Sequence, residues 1–167
     1  MKVRRIALLL AAAAVLEFLV AGSRYRALWP VDWFLLATAA VARSGDFVRA
    51  VLTGAVAGFA EDAISQPMLG VNAFAKALLG FVLTLVSVRI AFGGALAVGA
   101  ALTAASLANE AIVALLSALL AQAPIVLISR EAIWRAVVTG ITGGALEAAW
   151  NFGWRDWWKR RRLRRLR

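Results

Sequence analysis

Glu61 and Asp62 stand side by side in "GFAEDAISQPMLGVNAF" (Gly58 to Phe74), and Lys76 follows two residues after it. Two carboxylates and a nearby ammonium can act as acid and base, hold a cation, or neutralise one another. Consecutive residues on a helix point about 100° apart, so Glu61 and Asp62 cannot converge on one substrate, which counts against a catalytic pair. They fall near the end of one apolar run, where the helix dipole disfavours negative charge. Lys76 falls about one turn into the next run, where the dipole disfavours positive charge. The two misfits cancel if an acid meets the lysine across the turn. The expectation is therefore a tight corner. Asp62 or Glu61 pairs with Lys76 or accepts hydrogen bonds from the Gly70–Asn72 backbone, and Asn72 caps the following helix. Asp62 is the favoured lock, and Glu61 is left without a role.

Other chemistry is thinly supplied. The chain has no cysteine and no histidine, which removes disulfides, thiol nucleophiles and the usual zinc and copper ligands. Any metal would need oxygen ligands, and only nine acidic residues exist. No Ser/His pair, glycine-rich phosphate loop or HExxH motif occurs. Of the aspartates Asp32, Asp46, Asp62 and Asp156, the second and fourth fall on the cytoplasmic rim, which leaves no facing pair for an intramembrane protease. No enzyme activity and no cofactor are expected. The remaining polar residues in apolar surroundings are Glu17, Asn109, Glu110 and Glu147. A charge at a helix centre in a bilayer costs roughly 2.5–3.5 kcal/mol, so each needs a compensating partner. Glu110 and Glu147 read as deep in their helices, either bonded to a neighbouring helix or available for protons or a partner.

The elements that carry these residues follow from composition. The chain is 63% hydrophobic with mean hydropathy +0.81, beyond the soluble norm, so an all-α polytopic membrane protein is expected. At roughly 20 residues per span, 167 residues hold at most six. The apolar runs place them at about 5–21, 30–42, 47–64, 73–90, 94–122 and 131–154, followed by a basic tail at 155–167. Run length favours helices over membrane strands. The first run reads as a retained span rather than a signal peptide, because Glu17 interrupts it and Val20-Ala21-Gly22 is a poor cleavage site. Pro30 suits the first position of the second helix.

Charge orients the bundle. Of the nineteen lysines and arginines, fourteen fall in segments on the side of the N-terminus and four on the other, with Lys76 near a span end uncounted, which puts both termini in the cytoplasm. Trp29, Trp33 and Trp134 fall at outer ends, and Trp150, Trp154, Trp157 and Trp158 at the last inner end, as interfacial belts do. Much of the net charge of +10 comes from the tail, which includes Lys159, Arg160, Arg161, Arg162, Arg164 and Arg165. Directly after a span, such a tail points to anionic lipid rather than nucleic acid.

Small residues recur at helical spacing in three stripes: Gly54 and Gly58 with Asp62 one turn on; Gly140, Gly144 and Ala148; and Ala97, Ala101, Ala105 and Ala108. Such stripes let helices approach closely, either within the chain or with another protein's helix.

"GAVAGFAEDAISQPMLGVNAFAKALLGFVLTL" (Gly54 to Leu85) resembles the signature of the bacterial rod shape-determining MreD family: glycines four apart, an acid one turn later, a short polar turn, then a leucine–glycine pair. Here these are Gly54, Gly58, Asp62, Ser65 to Pro67, Leu69 and Gly70. Chain length, Pro30, a polar "SLANE" (Ser106 to Glu110) and the basic tail fit the same family. The resemblance implies a non-enzymatic scaffold of the cell-elongation complex in the cytoplasmic membrane. Its partners would be the bitopic protein MreC and, in the same complex, the glycosyltransferase RodA and a class B penicillin-binding transpeptidase. It also implies a six-helix bundle similar to the substrate-binding S-components of ECF vitamin transporters. The small-residue faces would hold a helix of MreC, and the corner with Gly58, Pro67, Asn72 and Lys76 would fix one edge. The alternative is an S-component-like transport subunit, with Tyr25, Trp29, Trp33, Gln66, Asn72 and Trp134 near an outer ligand cavity.

Overall fold

The computed structural model describes residues 3–21, 30–65, 69–89, 94–121 and 129–164, with side chains described for these except at 21, 65, 121 and 152–164. The described residues form six helices and no strand. They are α1 (Val3–Ala21), α2 (Trp33–Ala42), α3 (Phe47–Ser65), α4 (Val71–Arg89), α5 (Ala95–Ala121) and α6 (Arg130–Arg164). Among the described residues, α4 and α5 are long and apolar enough to cross a bilayer. By length α1 and α3 match α4, but each carries three charges: Arg4, Arg5 and Glu17 in α1, and Arg49, Glu61 and Asp62 in α3.

α2 is the central element despite having only 10 residues. At about 1.5 Å per residue it is roughly 15 Å long, half of what a hydrocarbon core requires. The expected span at 30–42 is thus a half-length helix. Pro30 does not open it: the N-cap is Asp32, whose Oδ1 accepts from Leu35 N–H at 2.7 Å. Leu35, Val41 and Ala42 of α2 pack with Ala50 of α3, Leu79 and Leu83 of α4 and Ala105 of α5. Phe34 and Ala37, on another face of α2, pack with Ala13 of α1 and Ala57 of α3. Trp33, the first residue of α2, is partly buried against that second cluster, and its indole nitrogen is buried. Apolar all round and buried on most sides, α2 is the core around which the longer helices gather.

Glycine sets the closest contacts. A Cβ at Gly54 would meet the Lys76 carbonyl, one at Gly58 the backbone of Asn72 and Ala73, and one at Gly80 the Ala50 carbonyl. These pairs step in opposite directions, so α3 and α4 form an antiparallel hairpin with touching backbones. α5 and α6 form a second: Gly140 faces Gly99 and Thr103, and Gly144 faces Ala95. Both glycine stripes are therefore filled from within the chain and cannot hold a partner's helix. Ala148 is exposed, and Ala105 of the third stripe joins the core.

The helix that carries the expected sixth span continues beyond residue 154. α6 runs unbroken for 35 residues through Gly153 and the basic stretch to Arg164.

Candidate functional site

Lys76 is fully buried, a rare position for an ammonium. Its Nζ lies 2.5 Å from Asp32 Oδ2 and 2.9 Å from Glu61 Oε2. Helix geometry explains the meeting with Glu61. Side chains lean toward their own helix's N-terminus, and α3 and α4 run antiparallel. Glu61, near the end of α3, therefore leans back along the bundle, while Lys76, near the start of α4, leans the opposite way. Asp32 arrives from α2. Its Oδ1 caps that helix while its Oδ2 takes the ammonium, and its N–H donates to Thr139 Oγ1 of α6 at 3.1 Å. One residue thus ties α2, α4 and α6 together.

Asp62, turned about 100° from Glu61, serves a different purpose. Its Oδ2 accepts from the N–H groups of Gly70 (2.8 Å) and Ala73 (3.3 Å). Its Oδ1 accepts from Asn72 N–H (3.2 Å) and Asn72 Nδ2 (2.8 Å). The first N–H groups of α4 have no partner within their own helix, and one buried carboxylate satisfies them from the neighbouring helix. The dipole of α4 favours that negative charge, although Asp62 belongs to the C-terminal part of α3. Gly70 supports the turn with φ 103°, a conformation that favours glycine.

The sequence expectations divide accordingly. Asp62 locks the turn but does not take Lys76; Glu61, left without a role, does. Asn72 lies inside α4 and donates to Asp62 rather than capping the helix itself. Leu69 is exposed, and Pro67 lies outside the described residues. Asp32, considered only as a protease aspartate, is the residue that sequence reasoning missed. Its signal was available: an aspartate directly before the apolar "WFLL" is an N-cap pattern.

The remaining polar residues are mostly paired. Glu110 Oε1 of α5 accepts from Arg135 Nη1 of α6 at 3.0 Å, with both groups part-exposed. Glu147 lies midway along α6 and is part-buried. It forms a two-pronged ion pair with Arg43, in the turn after α2, and accepts from Asn151 Nδ2 at 2.9 Å. This clamp lies at the opposite end of the bundle from Gly70. Asn109 is buried, and its Oδ1 has no hydrogen-bond partner among the described residues. Lys159, Arg160, Arg161, Arg162 and Arg164 lie on the helical end of α6, and Arg165 lies outside the described residues.

Glu17, Val20, Pro30, Val31, Asp32, Glu61 and Arg135 line a cleft beside the Lys76 cluster. Its volume is about 10 Å³, enough for about one water. Sites for vitamins and similar ligands need roughly 300–1,000 Å³. Among the described residues no group of three or more acidic side chains is arranged to hold a metal. The arrangement joins α2, α3, α4 and α6 through Asp32, Glu61, Lys76 and Thr139. In comparisons with family models, curated proteins and solved structures, nothing matches this chain.

Proposed function

We propose that the chain is a multi-pass protein of the bacterial cytoplasmic membrane that acts as a non-enzymatic scaffold, as MreD-like proteins do in the cell-elongation complex. The observation that carries the membrane part is the inversion of polarity. Phe18, Leu52, Phe59, Phe74, Leu96, Leu119, Ile141 and Trp150 are exposed, whereas Lys76, Asp62, Asp32, Thr38, Thr84 and Thr139 are buried. A soluble monomer rarely exposes apolar patches larger than a few hundred Å², but a lipid-facing bundle does. Thr38, Thr53, Thr84 and Thr103 each donate to a carbonyl one turn back, which satisfies hydroxyls without water.

In this reading all six helices enter or cross the bilayer in an S-component-like bundle, with both termini cytoplasmic. The Gly70 turn faces outward, and the Arg43–Glu147 clamp faces the cytoplasm. Paired charges and glycine-tight hairpins suit a rigid body that holds other proteins. An MreC-type bitopic protein, with RodA and its transpeptidase in the same assembly, would contact outward faces rather than the glycine stripes, which are already filled. Tyr25, Trp29 and Gln66, which the transport alternative would place at an outer ligand cavity, lie outside the described residues.

Affinity purification of the tagged chain from its own membranes in mild detergent tests the proposal. The expected result is co-purification of an MreC-type protein and no retained small molecule. Recovery of an ECF energising unit, or of a bound vitamin, would refute it.

A further inference from the structure

We propose that the cleft beside Lys76 is a binding site for a single water molecule, which bridges Glu61 of α3 and Arg135 of α6 and joins them to Glu17 of α1. The site is independent of what the bundle binds.

Glu61 presents an acceptor that the helices leave unserved. The residue is only 9% exposed. Its Oε2 lies 2.9 Å from the Lys76 ammonium, close enough for charge attraction. Yet that oxygen is buried, and no donor meets it in hydrogen-bond geometry. Lys76 aims its hydrogen bond at Asp32 Oδ2 instead. Buried polar atoms are nearly always hydrogen-bonded, to protein or to ordered water, and a charged acceptor left alone is the costliest case. The neighbouring carboxylate shows the contrast. Asp62 accepts from the N–H groups of Gly70, Asn72 and Ala73 and from the Asn72 side chain.

The cleft that Glu61 lines has the volume and the chemistry to supply the missing donor. It measures about 10 Å³. A buried water needs about 10–15 Å³ and roughly two to four polar partners, whereas apolar cavities stay dry. This cleft therefore admits one water and nothing larger. Its polar lining is Glu17, Asp32, Glu61 and Arg135, so acceptors and a donor share one small space. Arg135 donates to Glu110 through Nη1, which leaves Nε and Nη2 as donors for the cleft. A water that accepts from Arg135 and donates to Glu61 Oε2 and to Glu17 matches every group in kind.

The same water closes a gap in the fold. Among the described residues α1 packs on α2 and α3 and makes no contact with α6. The cleft is where Glu17 and Val20 of α1 share a lining with Arg135 of α6. A bridging water is nearly as favourable in enthalpy as a direct hydrogen bond. It extends the ion cluster's hold on α2, α3, α4 and α6 to the one helix that they do not reach directly.

X-ray hydroxyl-radical footprinting of the full chain in mild detergent tests the site. Radicals made from a held water oxidise the side chains beside it, even where bulk solvent cannot reach. Val31 lines the cleft and is 4% exposed, whereas Val71 is 6% exposed and does not line it. Bulk exposure alone would oxidise Val71 at least as fast as Val31. The expected result is the reverse, with Val31 oxidised several-fold faster than Val71. Glu61→Met removes the acceptor and leaves Lys76 with Asp32 as a neutral pair, so Val31 oxidation should fall to the Val71 level. Val31 oxidised no faster than Val71 in the parent chain would overturn the proposal, and that comparison stands even where the variant does not fold. Fast oxidation of Val31 that persists in Glu61→Met would also overturn it, because the radicals would then come from bulk solvent.

Discussion

Replacing Lys76 by methionine tests the buried charge cluster. Methionine nearly matches the lysine stem in length but removes the cation that pairs with Asp32 Oδ2 and Glu61 Oε2. Breaking a buried ion pair by removing one partner typically costs about 3–5 kcal/mol, because the other charge is left without compensation. For a chain of this length, each kcal/mol shifts the unfolding midpoint by about 2–4 °C, so a fall of about 10 °C is expected. The assay is the fraction that remains monodisperse on size exclusion after heating in detergent. Adding Asp32→Asn and Glu61→Gln to Lys76→Met removes the stranded charges while Asn still caps α2. That triple variant should regain at least about half of the lost stability, since a neutral replacement of a buried pair is often nearly costless. A Lys76→Met protein that melts within about 2 °C of the parent would refute the reasoning, as would a triple variant no more stable than the single.

Further substitutions separate the two adjacent acids and the two kinds of ion pair. Asp62→Ala removes the acceptor for the N–H groups of Gly70, Asn72 and Ala73; a loss of about 1–2 kcal/mol is expected, with amide hydrogen exchange rising at those residues and not at the far end of α4. Gly58→Leu should prevent accumulation of folded protein, because its Cβ would run into the backbone of Asn72 and Ala73; normal yield would show that α3 and α4 do not touch there. Arg43→Gln should change the melting midpoint by no more than about 4 °C, because its side chain is 41% exposed and such pairs contribute about 0–1 kcal/mol.

Much of the corner was legible before any coordinates. An acid near one helix end, a short turn with Gly70, and a lysine at the next helix start define a local electrostatic problem with few solutions. What spacing could not supply was the division of labour. Both acids fit either partner, and only the packing of α3 on α4 sends Asp62 to the backbone and Glu61 to Lys76. Asp32 escaped for a related reason. It lies 44 residues from Lys76, and Pro30 offered a plausible earlier helix start that hid the N-cap. The glycine stripes announced close approach but not with which helix. The partner of Glu147 was hidden for a related reason, since Arg43 lies in a turn 104 residues away. The sixth span was read to 154 from hydropathy, yet α6 runs on to Arg164, because one glycine at 153 costs a helix only about 1 kcal/mol and does not end it.

The central claim is that apolar side chains face lipid while the charges face one another within a bundle crossing the membrane. Single cysteines at Ser44, Leu69 and Ser129, in a chain that otherwise has none, test it most directly through labelling with an impermeant maleimide. The account predicts that Leu69→Cys and Ser129→Cys react in intact spheroplasts, and that Ser44→Cys reacts only after the membrane is opened. Reaction of all three in intact spheroplasts, or recovery of the chain in the soluble fraction, would contradict it.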